Sequence, residues 1–251
     1  MLQLLLFASS LFGCWVQCAT AASAVASPCA SLIEPSSLAV EKPLSNVRAA
    51  RGSPLVLTCA FFGSPQPSIA WYHRGRKIDS HSSSPFSAIL ANRQLSQTIV
   101  ESELRIPCLD ESTIGEYFCE AVSECSPPVV THSLVTIAAN TDAVECPSPS
   151  TPTPPIIAAF TMSRIELPEA VSELVCRARG SPTPRVRWYR IGDDDEMTLT
   201  PVEQSDHNLL LPNGDLLVIG DGTTISESYR CVAENPYGTA HKDTAIIYMS
   251  P

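Results

Sequence analysis

The residues of this chain best suited to chemistry are its cysteines. The sequence of 251 residues contains 10 cysteines, and no two of them form the Cys-x-x-Cys motif of metal and redox centres. Cys14 and Cys18 lie in an N-terminal apolar segment, and without them the number left is even, so that all can pair. Cysteines at this density in an exported chain are typical of disulfides. The chemistry that we expect is therefore covalent cross-linking.

Residue patterns of catalysis are missing from the sequence. It has no Gly-x-Ser-x-Gly nucleophile motif, no His-Glu-x-x-His zinc motif and no glycine-rich phosphate loop. The histidines are scattered singly among polar residues, at His73, His81, His132, His207 and His241. We assign no catalytic residue, no cofactor and no metal ligand, and we predict that the protein is not an enzyme. The formal net charge of -10 argues against nucleic acid as a partner.

An acidic run, Asp193-Asp194-Asp195-Glu196, suggests calcium, which prefers clustered carboxylates. Adjacent acids in a turn point in different directions, however, and the run lacks the alternate spacing and the glycine of a calcium loop. These features favour a solvated turn. The matching turn in the first half is basic, Arg74-Gly-Arg-Lys77, so a second alternative is that the oppositely charged turns steer a partner or pair two molecules head to tail.

The cysteines belong to a pattern that occurs twice. The segments Cys59–Trp71 and Cys176–Trp188 both contain Gly-Ser-Pro-x-Pro, and each tryptophan is followed by tyrosine. Farther on, each half contains Tyr-x-Cys, at Tyr117–Cys119 and Tyr229–Cys231. Two packed sheets bridged by a disulfide under a tryptophan form the core of an immunoglobulin sandwich. We therefore predict an all-β chain with two immunoglobulin-like β-sandwich domains in tandem.

Composition divides the chain into four parts. An apolar run from Leu4 to Val16 predicts a secretory signal peptide over residues 1–24, although no basic residue precedes it and an uncleaved anchor is an alternative. We assign the first domain to residues 30–139, a Pro-rich linker to 140–155 and the second domain to 156–251. No other run is long enough for a membrane helix, so we expect a secreted, extracellular product. The prolines of the linker favour a semi-rigid spacer, which should hold the domains apart or at a restricted angle.

The eight cysteines after the signal peptide are assigned to four pairs. The two core pairs follow from the repeat, because each joins strands B and F of one sandwich. The other two pairs follow from topology: in this fold the residues before strand A and after strand F lie at one end of the sandwich, and those after strands E and G lie at the other. This connectivity is one of many that eight cysteines allow. The pairs are Cys59–Cys119, Cys176–Cys231, Cys29–Cys125 and Cys108–Cys146.

The first domain has apolar residues where a sheet face should meet solvent. With Trp71 and Cys119 pointing inward, strict alternation sends their neighbours outward, and strand G adds further apolar positions. The same surface of the second domain carries arginines, as a solvated face does. Exposed apolar patches usually mark a partner site, and here the partner would be a peptide, a second copy of the chain or the neighbouring domain. The alternative is that strand G is out of register by one residue, so that its apolar residues point inward. The candidate partner-binding face is Tyr72, Phe118, Val122, Val130 and Leu134.

These motifs carry a family resemblance. The two Cys-x-x-x-Gly-Ser-Pro-x-Pro-x-x-x-Trp-Tyr blocks, the Leu211–Leu217 hairpin and Cys231-Val-Ala-Glu-Asn-Pro-Tyr-Gly238 resemble intermediate-set (I-set) immunoglobulin domains. A signal peptide followed by two such domains, with extra cysteines around the first, resembles the secreted proteins of the nematode zwei-Ig family and is similar to the insect neural/ectodermal development factor. Domain 1 departs from the family pattern Asp-x-Gly-x-Tyr-x-Cys at Thr113, and domain 2 departs from it at Ile225 and Glu227.

The two resemblances imply different binding functions. The nematode family implies an extracellular factor of the nervous system that maintains the position of axons and neurons through neuronal surface proteins of the immunoglobulin type. The insect factor implies a soluble trap that binds and antagonises insulin-like peptides. No ligand-contact residue is carried over, because the shared motifs hold the fold.

Overall fold

The computed structural model describes residues 28–81, 93–138, 146, 151–192 and 198–249. This part of the chain forms strands almost throughout, with one short helix, α1 (Pro28–Ser31). The prediction of two β-sandwiches in tandem is confirmed. Within these ranges, no helix has both the length and the apolar character that a membrane crossing requires.

The first sandwich, domain 1, packs one sheet of three strands, in the order β1, β3, β6, against a sheet of five in the order β2, β8, β7, β4, β5. Apolar side chains alternate along these strands because successive residues point to opposite faces. The strands are β1 (Ser37–Lys42), β2 (Val47–Ala49), β3 (Leu55–Ser64), β4 (Ser68–His73), β5 (Arg76–His81), β6 (Gln97–Ile106), β7 (Gly115–Ser123) and β8 (Ser126–Ile137).

The second sandwich, domain 2, packs a three-stranded sheet in the order β10, β15, β14 against strands β17, β16, β12 and β13, with β9 and β11 along one side. Its strands are β9 (Thr153–Glu166), β10 (Val171–Leu174), β11 (Cys176–Ser181), β12 (Arg185–Ile191), β13 (Leu199–Pro201), β14 (Asn208–Leu210), β15 (Leu216–Ile219), β16 (Ser226–Asn235) and β17 (Gly238–Tyr248). The turn between β14 and β15 contains Gly214 at φ 96°, a backbone conformation that glycine adopts without a steric penalty.

Each sandwich has its own core. In domain 1 the indole of Trp71 is fully buried over Cys59 and Cys119, together with Tyr117. In domain 2, Trp188 is buried over its own pair of half-cystines. The tyrosine of each Tyr-x-Cys motif is buried as well, and the Tyr117 hydroxyl donates to the carbonyl of Thr113 at 2.7 Å. The repeated sequence pattern therefore corresponds to two equivalent cores.

The two domains are in direct contact and are not held apart, whereas a restricted angle, the other arrangement expected from the linker, is compatible with this contact. Strand β9 begins at Thr153, inside the segment assigned to the linker, and its central part pairs antiparallel with β6 of domain 1. One sheet of nine strands therefore continues from the first sandwich into the second. A free strand edge favours pairing with another strand, and here the edge of one domain is covered by the first strand of the next.

Candidate partner-binding surfaces

The predicted face lies on the outer side of the five-stranded sheet of domain 1. Val122, Val130 and Leu134 expose 42%, 49% and 42% of their surface, and Tyr72 and Phe118 are half-buried. Strand β8 is in the predicted register, because Val135 is fully buried while Leu134 is exposed. The ladder places Phe118 opposite Tyr72 on one side and opposite His132 on the other.

Two carboxylates that were not predicted as part of this surface interrupt its apolar residues. Glu116 pairs with Leu134 and Glu120 pairs with Val130 across the β7–β8 ladder, so both glutamates share the face. The Tyr72 hydroxyl donates to Glu120 Oε2 at 2.8 Å, and this hydrogen bond to a carboxylate raises the pKa of the Tyr72 phenol. A partner that covers the face must therefore supply donors or cations for Glu116 and Glu120 in addition to apolar contacts.

The equivalent surface of domain 2 has a different character. The Arg230 guanidinium forms two hydrogen bonds with Asp243, at 2.7 and 2.8 Å, and Arg187 donates to Glu234 at 3.1 Å. Charged side chains that are paired with one another and open to water need no further partner. The contrast favours the apolar face of domain 1 as the binding surface of the two.

Disulfides hold both ends of the first sandwich. Cys29 and Cys125 join α1 to the β7–β8 turn, and Cys108 and Cys146 join the loop after β6 to the chain that leads into domain 2. The core pairs have Cα–Cα distances of 6.7 Å and 6.5 Å, and the end pairs 5.5 Å and 5.6 Å. The structure thus joins Cys59–Cys119, Cys176–Cys231, Cys29–Cys125 and Cys108–Cys146.

The junction between the domains is a feature that sequence reasoning missed. The Trp71 indole donates to the Ser102 hydroxyl at 2.9 Å, and that hydroxyl donates to the carbonyl of Ala158 at 2.8 Å. The core tryptophan of domain 1 is in this way connected by buried hydrogen bonds to the first strand of domain 2. Because unmade hydrogen bonds of buried groups are costly, this arrangement fixes how the two domains meet.

A buried ion pair lies at the same junction. Arg164 and Glu166, both on β9, expose only 1% and 0% of their surface, and their side chains are 2.8 Å apart. Glu166 accepts the backbone N–H groups of Leu95 and Ser96 from domain 1, at 2.7 and 3.1 Å. Arg164 in turn donates to Gln66 of domain 1 at 3.0 Å. Each charge is thus paired and hydrogen-bonded across the domain boundary, as buried charges require.

Lys242 of β17 makes a third contact across the junction. Its ammonium lies 3.1 Å from Glu101 and 2.7 Å from Glu103, both on β6, and 4.7 Å from the centre of the Phe160 ring. Burial opposes the charge of Lys242, but the hydrogen bonds that it donates to Glu103 and Glu101 outweigh this effect and raise the pKa of the ammonium. The lysine therefore stays charged and contributes to holding the two sheets together.

The shared sheet also offers a second candidate surface. Paired residues of a ladder lie on the same face, and one such row runs Phe62, Ile99, Ser163, Ala245 across strands β3, β6, β9 and β17. The next row contains Ile165 paired with Ile247, which exposes 42% of its surface. These small and apolar side chains form a platform that crosses the domain boundary. No sequence motif marks the platform, because its rows combine residues from strands far apart in the chain.

A fourth contact at the junction is open to solvent and should depend on pH. Asp79 of domain 1 pairs with Arg179 of domain 2 and lies 3.4 Å from His81. Burial would raise the pKa of the Asp79 carboxyl, but His81 and Arg179 together lower it below its ordinary value. A carboxyl whose pKa is lowered by folding contributes stability above its unfolded pKa, and that contribution is lost as the pH falls through the folded pKa.

Asp79→Asn is therefore expected to destabilise the protein at pH 7 by up to about 1 kcal/mol, because Arg179 is largely exposed and the pair is screened. At a pH below the lowered pKa of the folded state, the variant and the parent should unfold at the same denaturant concentration, since Asp79 is then protonated in both states. Urea unfolding at the two pH values measures this difference. An equal loss of stability at both pH values would show that the charge of Asp79 does not contribute to the stability.

Within the described ranges, no three His, Cys, Asp or Glu side chains lie close enough to hold a metal ion. The run Asp193–Glu196 falls outside the described residues, so the calcium and charged-turn alternatives stay predictions.

Comparison with known proteins agrees with this architecture. The model of the immunoglobulin domain family matches residues 39–123. Zwei Ig domain protein zig-3 of Caenorhabditis elegans is 28% identical over 84% of this chain and 80% of its own length. Zwei Ig domain protein zig-4 of the same species is 26% identical, over 86% of the chain and 81% of its length. The crystal structure of the neural ectodermal development factor IMP-L2 matches with a TM-score of 0.62 at 19% identity, covering 85% of this chain and 95% of that one.

The fold is that of two immunoglobulin-like β-sandwiches in tandem, and the family model matches the first of them. It resembles the zwei Ig domain proteins of nematodes over most of both sequences, and its fold is that of the neural ectodermal development factor.

Proposed function

We propose that the protein is a secreted extracellular binding protein of the nervous system, which maintains axon and neuron position through protein–protein interactions of its two immunoglobulin domains. The observation that carries this proposal is the similarity to zig-3 and zig-4 along most of their lengths. The disulfides support an oxidising, extracellular environment. The proposed partners are neuronal surface proteins of the immunoglobulin type.

The candidate face of domain 1 supports this binding role. Its exposed aliphatic side chains lie on a rigid sheet, so they lose little conformational freedom when a partner covers them. Glu116 and Glu120 lie among them and would orient a partner that presents lysine, arginine or hydroxyl groups. An exposed apolar centre with embedded charges resembles other protein interfaces, and a second copy of the chain is one partner that it can accommodate.

A second candidate function is a soluble trap that binds and antagonises insulin-like peptides. The observation that favours it is the platform across β3, β6, β9 and β17, a single surface to which both domains contribute. The fold likeness to the neural ectodermal development factor supports the same function, because the sequence resemblance to that factor implies a trap for insulin-like peptides. The trap would use the shared sheet, whereas the neuronal factor would use the face of domain 1.

One binding experiment separates the two functions. The purified protein is immobilised and tested against a panel of insulin-like peptides and, in parallel, against ectodomains of neuronal surface immunoglobulin proteins. The double variant Phe118→Arg with Leu134→Glu is expected to stay folded and to weaken ectodomain binding at least about a hundredfold, because two central apolar contacts become charged. Sedimentation of the protein alone, with and without the substitutions, reports self-association through the same face.

The matched control is Val56→Arg with Ile225→Glu. These residues expose 47% and 77% of their surface, lie outside the face and carry the same change of charge. The control should bind as the parent does. Unchanged ectodomain binding by the Phe118 and Leu134 variant would reject the face, and saturable binding of insulin-like peptides alone would favour the trap.

A further inference from the structure

Strands β6 and β9 separate beyond the point where they pair. Their ladder runs from Gln97 to Ser102 on β6 and ends at Ala159 on β9. Beyond it, Glu103–Ile106 pairs with β3 on one edge, and the first part of β9 pairs with β11. The two edges that face each other have no strand between them among the described residues. At the branch point, the Ser102 hydroxyl donates to the Ala158 carbonyl, a bond that a backbone N–H would otherwise make.

The separation leaves a cavity of ≈ 330 Å³, here called the wedge, between the two domains. Its walls combine two unpaired strand edges with apolar side chains from both domains. Ile78 exposes 47% of its surface there. The apolar lining residues are Ile78, Leu104, Pro107, Pro154, Ile156 and Ala158.

Among the charged residues that line the wedge, one cation forms no ion pair within the described ranges. Asp79 is paired with Arg179, and Glu103 is bound to Lys242. Arg105 also lines the wedge and forms no ion pair with any residue in the described ranges. Three of the four charged groups are thus compensated locally or across the junction, and the uncompensated one is positive. A ligand that places a carboxylate near Arg105 would be favoured.

We propose that the wedge binds an extended peptide segment of a partner protein, which inserts as an additional strand between β6 and β9. An unpaired strand edge supplies backbone donors and acceptors that such a strand satisfies, while alternate side chains of the peptide enter pockets of the sheet. Here the apolar walls select aliphatic side chains, and Arg105 selects an acidic residue. The proposal rests on the proposed role in binding but uses a site separate from the face around Phe118, so the two can fail independently.

The test uses the full chain and a phage library of short random linear peptides as the probe. Selected peptides are synthesised, and their binding is measured by fluorescence anisotropy, with hydrogen exchange of the backbone amides in Glu103–Ile106 as the structural readout. We expect enriched peptides that carry an acidic residue between aliphatic ones and that slow the exchange of these amides. An N-methylated copy of the same peptide keeps its side chains but loses its N–H donors, and should not bind.

Variants of the wall test the location of the site. Arg105→Glu and Ile78→Glu should each weaken peptide binding at least about tenfold, because each places a negative charge in the wall. Leu210→Glu, a change of an aliphatic residue of domain 2 that is 41% exposed and lies outside the wedge, should bind as the parent does, and so should Phe118→Arg with Leu134→Glu. The proposal is overturned if no peptide is enriched, or if the wall variants bind unchanged. It is also overturned if the wedge-facing amides are already protected in the free protein, since another part of the chain would then fill the wedge.

Discussion

Arg164→Met is expected to lower the free energy of unfolding by about 3–5 kcal/mol, because it leaves the carboxylate of Glu166 buried without its cation. Glu166 is fully buried and binds two backbone amides of domain 1, so it cannot turn to water without breaking the junction. Urea unfolding followed by tryptophan fluorescence measures the loss. The same substitution should speed hydrogen exchange at Leu95 and Ser96, whose amides Glu166 holds.

The control for this prediction is Arg187→Met, which removes an arginine from an exposed pair with Glu234. Its cost should stay below about 1 kcal/mol, the usual value of a surface ion pair. A double variant, Arg164→Met with Glu166→Gln, should recover part of the loss because no unpaired charge is left behind. A cost for Arg164→Met no greater than that of Arg187→Met would mean that the buried pair does not stabilise the junction.

Replacing Cys59 and Cys119 together by alanine is expected to cost about 2–5 kcal/mol and to reduce the yield of folded protein. The disulfide joins residues 60 positions apart, so it restricts the unfolded chain, and its sulfur atoms fill the space beneath Trp71. Unfolding of the purified variant by guanidinium, with secretion yield as a second readout, measures the effect.

The comparison for this variant is the double alanine replacement of Cys29 and Cys125. That disulfide closes a separation of 96 residues, so its effect on the unfolded chain is similar, but it lies at the partly exposed end of the sandwich. We expect the core variant to lose more stability than the end variant, because only the core variant opens a cavity. A core variant as stable as the end variant would indicate that packing beneath the indole adds nothing.

The cores could be predicted because local sequence specifies them. Cysteine, tryptophan and tyrosine at fixed spacings define which residues of β3, β4 and β7 point inward, and alternation then assigns their neighbours. The hairpin around Gly214 could be predicted for the same reason, since Asn-Gly between apolar runs favours a tight turn. These features depend on residues that are close in the sequence, or on a repeated motif whose two copies show which cysteines and tryptophans correspond.

The junction could not be predicted, because it pairs strands that are distant in sequence. Arg164 and Glu166 alternate with apolar residues, which is the pattern of a strand with one face in water. These charges are buried because the other domain covers them: β6 pairs with β9, and Gln66, Leu95 and Ser96 supply hydrogen bonds. The prolines before Ile156 favoured a spacer, yet Pro154 and Pro155 are part of β9. There the edge toward β6 is unpaired and the ladder to β11 is irregular, so the missing N–H groups cost little on either edge.

The candidate face was predicted in part. Alternation identified its apolar residues correctly as outward, but the interpretation considered those residues alone. Glu116 and Glu120 alternate with them on β7 and share the same face, so the surface is amphipathic where an apolar patch was expected. The identity of the partner that covers this face depends on a second molecule, so the sequence of this chain alone contains no signal for it.

The sheet that passes through both domains has a consequence for any ligand that touches the two together. Tandem domains on a flexible connection sample many orientations, and a bridging ligand must freeze one of them, at a cost in entropy that weakens affinity. In this protein the β6–β9 ladder removes that freedom before any encounter. The association rate should then be limited by diffusion and electrostatic steering, and not by a rearrangement of the domains. Differences in affinity among ligands should arise mainly from their dissociation rates.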